Sequence, residues 1–207
     1  MENFDRTAHW EQIYHSKALS EVSWYQPVPQ TSIDLITKYA AAKNAKIIDV
    51  GGGDSHLVDH LLKLGYSNIT VLDISSKAID RAKKRLGSEA QKVTWIVSDI
   101  TDFKPTETYD VWHDRAAFHF LVEQNDINAY KNTLNNNLSP NGFSIIGTFS
   151  KSGPKKCSGI SIKQYSEATM VDTFRELFTR LECLDINHKT PFDTIQNFVF
   201  CVFKKDK

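Results

Sequence analysis

Residues Ile47–Ser55 read I-I-D-V-G-G-G-D-S, and this stretch decides the fold. An apolar, β-branched run broken by one acid has the pattern of a short buried strand. Three glycines follow at once, so the backbone can turn and approach a ligand with no Cβ in the way. A helical pattern then takes over from Ser55, with Leu57, Leu61 and Leu64 on one face and Gly65 at its end. A second apolar run, Asn68–Asp73, closes on a carboxylate. It lies about twenty residues past the turn, the separation at which a strand-end acid meets a ribose diol. Turn and acid together point to a ligand that contains adenosine.

The alternation continues outward. Ser76 caps a helix to about Leu86, Val93–Val97 is a third strand ending in Ser98-Asp99, and Tyr109–His113 is a fourth. A helix over Asp126–Leu138 is stopped by S-P-N-G at Ser139–Gly142, and Phe143–Phe149 is a fifth strand. Such alternation implies a parallel sheet covered on both faces. A helix over Ser166–Arg180 leads to two strands, Leu181–His188 and Asn197–Lys204, joined by a turn and therefore antiparallel. Ahead of the core, Thr7–Ser16 and Thr31–Ala42 read as helices on either side of an aromatic loop, V-S-W-Y-Q-P-V-P, whose prolines forbid a helix. The expected organisation is one domain over residues 1–207. A helical and aromatic segment (1–44) precedes a ligand-binding core (45–150), and a substrate-side loop, helix and hairpin (151–207) complete it.

Twenty-five acidic and 25 basic side chains cancel among 207 residues, which argues against DNA as a partner. No apolar run is long enough to span a bilayer, and the polar N-terminus lacks the apolar core of a signal peptide. Cys157, Cys183 and Cys201 are widely spaced and lack a C-x-x-C pair, which fits reduced thiols in the cytoplasm better than a disulfide framework or a zinc site. His56 and His60 have the i, i+4 spacing of metal ligands, but with no third ligand in view they read as a solvated helix face and no metal is expected.

Four segments carry a family resemblance: D-V-G-G-G-D-S, V-L-D-I-S, V-S-D-I-T and Y-D-V-W-H-D-R-A-A-F-H-F, with L-S-P-N-G-F as a fifth. In order and spacing, over about residues 45–150, the chain resembles the class I S-adenosylmethionine-dependent methyltransferases. The resemblance implies their fold: α/β, a three-layer sandwich around a seven-stranded, mostly parallel sheet with a C-terminal antiparallel hairpin. It implies S-adenosyl-L-methionine as methyl donor and S-adenosyl-L-homocysteine as product. Asp49 would order the turn and meet the donor's amino group, and Gly51 and Gly53 would admit its methionine part. Asp73 would hold the ribose hydroxyls, Ile74 and Ile100 would sandwich the adenine, and Asp99 would accept from its amino group. His113 or Asp114 would lie at the reactive end of the ligand.

Within W-H-D-R-A-A-F-H-F, Asp114 can orient or deprotonate an acceptor, Arg115 can pair with Asp114 or hold a substrate anion, and His119 is an alternative base. Trp10, Tyr14, Trp24 and Tyr25 are expected to close over a cationic ligand as a lid. Strand four and the N-terminal aromatics resemble two branches, the thiopurine-type S-methyltransferases and the elongation-factor lysine methyltransferases. The N-P-P-Y-like signature of DNA-adenine and protein-glutamine methyltransferases is missing. The acceptor is therefore expected to be a small molecule or a protein side chain, and the lysines of Lys151–Gly159 favour an acidic one. Two rival readings are an NAD(P)-binding oxidoreductase-like domain, against which His56 stands where the third glycine of G-x-G-x-x-G belongs, and a donor-binding module without transfer.

Overall fold

The computed structural model describes residues 4–206, so residues 1–3 of the expected N-terminal segment and Lys207 lie outside the described residues. In chain order the elements are α1 (Arg6–Ser16), α2 (Gln30–Tyr39), β1 (Ile47–Val50), α3 (Leu57–Lys63), β2 (Ile69–Asp73), α4 (Ser76–Leu86), β3 (Val93–Val97), β4 (Tyr109–Arg115) and α5 (Gln124–Asn137). There follow β5 (Leu138–Phe149), a small hairpin of β6 (Lys156–Cys157) and β7 (Ile160–Ser161), α6 (Glu167–Phe174), β8 (Thr179–Lys189) and β9 (Ile195–Lys204). The main sheet runs β3-β2-β1-β4-β5-β9-β8. Its first five strands are parallel, and β9 is antiparallel to both neighbours. Successive connections therefore leave β1 toward opposite edges of the sheet. That reversal opens a crevice above the carboxyl ends of β1 and β4.

Strand periodicity sorts the core into two layers. Ile47, Ile69 and Val111 face α2 and α3 through Ile36, Leu57 and Leu61. Ile48, Leu72 and Trp112 face α5 and α6 through Tyr130, Leu134 and Phe174. Trp112 is wholly buried, a stabilisation of about 3 kcal/mol by area. An unanswered indole N–H would cancel much of that, at about 1–3 kcal/mol; instead it donates to Tyr130 Oη at 3.0 Å.

The expected architecture is present, with boundaries moved for local reasons. The cap of α4 is Ser75 rather than Ser76, its Oγ accepting the Ala78 N–H at 3.2 Å. α3 begins at Leu57, two residues late, because Gly52–Ser55 turns back on itself with Ser55 N–H bonded to Gly52 O. S-P-N-G does not separate α5 from the fifth strand. β5 already pairs with β4 at Leu138 and resumes at Phe143 after an irregularity that holds Asn141 at φ 61°. α6 ends at Phe174 rather than Arg180, since Phe178 must also reach the core and a tight turn brings it there.

The reading of three reduced thiols is corrected. Cys183 and Cys201 sit directly opposite each other on β8 and β9, with Cα atoms 4.1 Å apart, and form a disulfide; Cys157 is free and buried. Residues 18 apart in sequence become neighbours only through the hairpin register. No described helix is long and apolar enough to cross a membrane. Under denaturing, non-reducing conditions a thiol reagent should titrate one cysteine per chain, and three after reduction; three without reductant would remove the pairing.

Candidate functional site

The turn after β1 is built so tightly that no methyl group fits at any of its three glycines. Gly51 has φ +68°, and a Cβ there would lie 2.6 Å from the Cβ of Ala117. Gly53 has φ +42°, and its Cβ would meet Asp73 Oδ2 at 2.6 Å and Tyr14 Oη at 3.0 Å. Gly52, which the sequence reading passed over, would strike Asp49 Oδ2 at 2.5 Å. Asp49 is itself buried and held: Oδ1 accepts from His113 Nδ1 at 2.7 Å, and His113 Nε2 contacts Ser32 Oγ on α2 at 2.8 Å. Thus His113 sits under the turn as a support for Asp49, in a pocket that Gly51, Gly52 and Ser55 also line. Ser55 Oγ takes the Leu57 N–H at 3.1 Å, so one N–H at the start of α3 is already bonded within the turn.

Beside the turn lies a cleft of about 840 Å³, counting the space open at its mouth. Asp73, Ile74, Ser98, Asp99 and Ile100 line one end, so the expected adenosine contacts are brought together. Asp73 is nearly buried, and its Oδ1 accepts the Ser75 N–H at 2.8 Å. Burial, with the charges of Asp49 and Glu11 adding to it, pushes its pKa up to about 7, while the Ser75 N–H opposes the rise. Asp99 is more committed than expected. Oδ1 accepts both the N–H and the hydroxyl of Thr101, at 2.9 and 2.8 Å, and Oδ2 pairs with Arg6 Nε at 3.0 Å. A carboxylate has about four lone-pair sites, so a further donor can still be accepted.

α1 roofs the cleft. Arg6, Trp10 and Tyr14 recur every four residues, so one helix face carries all three into the lining. That spacing is the signal by which Arg6 could have been found in the sequence. Trp10 packs edge-on against Phe120 (5.0 Å between centroids) and Trp24 (5.9 Å). The roof is tied at both ends. Glu11 accepts the Ser76 N–H at 2.6 Å, Arg6 also reaches Asp126 at 2.8 Å, and Arg81 donates to the last-turn carbonyls Tyr14 O and Lys17 O at 3.0 and 2.8 Å. Arg81 also pairs with Asp54 at 2.9 Å, which joins the roof to the glycine turn. Trp24 and Tyr25 lie in the loop after α1, which is pinned where His56 and His60 both contact Pro27 O, at 3.3 and 3.1 Å.

Two expected catalytic residues do not reach the cleft. Asp114 is wholly buried on the opposite face of β4 from His113, toward α5. Oδ1 accepts the N–H groups of Ala117 and Phe118 at 2.9 and 3.1 Å, and Oδ2 accepts from Tyr130 Oη at 2.9 Å. Burial pushes its pKa up to about 6, restrained by those donors. It is a bracket for the 115–118 loop, and strand alternation is the reason. His119 is also wholly buried, wedged between Phe120 and Phe149. Its Nδ1 lone pair accepts the Phe149 N–H at 3.2 Å, and burial with Arg115 nearby lowers its pKa to about 3. A base so occupied cannot take a proton from an acceptor. Arg115 alone of the three lines the cleft, together with Ala116, which is held at φ 69°. Phe149 and Cys157 line it too, and neither was expected from the sequence as a site residue.

Residues 47–142 match the family model described as a methyltransferase domain. Among curated relatives, a mouse eEF1A lysine and N-terminal methyltransferase is 27% identical over 120 residues, 58% of this chain and 17% of that protein. A malonyl-(acyl-carrier protein) O-methyltransferase 2 from Ilyobacter polytropus is 32% identical over 106 residues, 51% of this chain and 39% of that protein. The chain thus spans well under half the length of either. In fold it is similar to NodS, an N-methyltransferase of Bradyrhizobium japonicum solved with S-adenosyl-L-homocysteine, with TM-score 0.75, 15% identity and coverage of 98% of this chain and 100% of that one. The matched segment runs from the strand before the glycine turn to the start of β5, and every element of the class I fold surrounds it. The chain thus carries a segment that matches a methyltransferase domain, within the fold of the class I S-adenosylmethionine-dependent methyltransferases.

Proposed function

We propose that this protein transfers a methyl group from S-adenosyl-L-methionine to a small-molecule or protein side-chain acceptor. The observation that carries the reading is the glycine turn. It lies at the point where the sheet reverses, excludes a Cβ at three successive positions, and faces the strand-end carboxylate Asp73. In this reading Asp73 accepts from the ribose hydroxyls, Ile74 and Ile100 flank the adenine, and Asp99 accepts from its amino group beside Arg6. Gly51 and Gly53 admit the methionine part, Asp49 meets its amino group, and His113 keeps Asp49 in place. Trp10 and Tyr14 cover the cationic centre as a lid. Residues 1–207 act as one domain, divided at about residues 44 and 150.

The donor brings an electrophilic methyl on a good leaving group, so the chain's task is chiefly to align the acceptor and exclude water. With Asp114 and His119 turned into the core, neither serves as the base. A dinucleotide reading is disfavoured by His56 at the position of the third glycine and by the antiparallel β9 where a second parallel half would continue. The relatives named above act, by their names, on a protein or on a carrier-bound acid, and this supports either acceptor class here. The reading includes the cytoplasmic location expected from the sequence; the Cys183–Cys201 disulfide weighs against it, since disulfides persist mainly in oxidising compartments.

Titration calorimetry with S-adenosyl-L-homocysteine should give saturable binding to the wild type. Asp73→Ala should weaken it by about 10- to 100-fold, as expected for loss of hydrogen bonds to a charged acceptor. A variant that binds as well as the wild type would remove Asp73 from the site. Asp73 loses its charge as pH falls through about 7, so affinity should drop several-fold from pH 8 to pH 6. Asp73→Asn should bind weakly at both pH values, and an equal pH dependence in that variant would assign the titration to another group. Finally, labelled methyl transfer to a cell extract should release S-adenosyl-L-homocysteine, and binding without any release would favour the non-catalytic module.

A further inference from the structure

Arg115 is a cation without an anion. Its Nη1 donates to Trp24 O at 3.1 Å, its Nη2 is buried and has no hydrogen-bond partner, and among the described residues no carboxylate pairs with it. The guanidinium lies over the ring of Phe198, 4.8 Å from the centroid. Burial lowers its pKa to about 10, so it stays charged at neutral pH. Arg115 is half-buried, an unanswered buried donor is costly unless something pairs with it, and Arg115 opens both onto the cleft and onto the neighbouring pocket of Asp49, Gly51 and Gly52.

Arg115 stands at the tip of β4, next to β1, and so lines both spaces. Its guanidinium lies over Phe198 on β9, on the far side of β5 from the glycine turn. The cleft wall on this side is formed by Phe149, Cys157 and Trp24. Outside it, residues 151–164 carry Lys151, Lys155, Lys156 and Lys163 and no acid, which makes the approach electropositive.

We propose that the methyl acceptor is a small molecule with an apolar, ring-sized body and an anionic group that Arg115 grips within the cleft. This inference rests on the methyl-transfer reading above. The planar guanidinium suits a carboxylate or another planar oxyanion, while Trp24 and Phe149 cover the body. The gripped anion is not the nucleophile. A cation bonded to the attacking atom would lose its partner as the new bond to carbon neutralised that atom, and this would raise the barrier. A second anionic group keeps its pairing throughout and serves as a handle. Arg115 is thereby a specificity-determining residue.

The test uses the full chain with methyl-labelled S-adenosyl-L-methionine and a deproteinised small-molecule extract, the products being separated on an anion exchanger at pH 8. The expected result is labelled product retained on the exchanger. Its yield should fall at least tenfold with Arg115→Gln and less with Arg115→Lys, while both variants bind S-adenosyl-L-homocysteine within threefold of the wild type. Label in the neutral or cationic fraction, or no label at all, would overturn the proposal. So would a tenfold or greater loss of S-adenosyl-L-homocysteine affinity in Arg115→Gln, the result expected if the guanidinium holds the donor's own carboxylate. Failure of the underlying reading is distinct: the wild type would then not bind S-adenosyl-L-homocysteine.

Discussion

Everything at the top of the sheet depends on the close approach of Gly51 to Ala117. A methyl group on Gly51 would overlap the Ala117 side chain, so the turn after β1 and the loop after β4 can come together only as they do. The loop is not free to retreat. Asp114 holds the N–H groups of Ala117 and Phe118 from below, and Ala116, with a backbone conformation that non-glycine residues rarely adopt, is fixed by its N–H to Gly147 O. Hydrogen bonds to a buried carboxylate contribute about 1.5–3 kcal/mol each, against about 1–3 kcal/mol for one strained residue. The bracket therefore outweighs the strain, and the crevice keeps its shape before any ligand enters it.

The same strand ends show how one residue type is put to different uses. Asp49, Asp73, Asp99 and Asp114 all stand at or just past the tips of the parallel strands. Asp73 and Asp99 open onto the cleft, Asp49 faces the glycine turn, and Asp114 faces the opposite helical layer. Where burial dominates, as at Asp73 and Asp114, the carboxyl is pushed toward neutrality. Asp54, in the turn itself, is also pushed up by burial but is held by Arg85 and Arg81. Through Arg81 that pair reaches the carbonyl end of α1, where positive charge also complements the helix dipole. The roof and the turn are thus joined through a single guanidinium.

A roof made this way has a consequence for access. Its contacts with the rest of the protein are mostly polar and partly exposed, and no residue of α1 is fully buried. Elements with few buried apolar contacts open at lower free energy than the core beneath them. The aromatic contacts of Trp10 with Trp24 and Phe120 supply its apolar closure over the cleft. The small β6–β7 hairpin bounds the other side, with Cys157 the part of it turned inward.

The sequence by itself determined the layered fold, the glycine turn and the strand-end acids that meet at the cleft. These are local features: hydrophobic period, glycine spacing and strand length act within a few residues and are written in order along the chain. It did not determine which way a side chain at the tip of β4 points relative to a cleft made by other elements. A shift of one residue moves a group to the opposite face, so Asp114 belongs to the core while its neighbour Arg115 reaches the site; His119, in the turn after β4, is packed against Phe120 and Phe149 instead. Nor could spacing alone pair Cys183 with Cys201, bring Arg6 to Asp99, or place Phe149 and Cys157 in one wall. Each of those depends on the register of strands, or the seating of a helix, set by residues distant in the chain, and only the tertiary structure decided them.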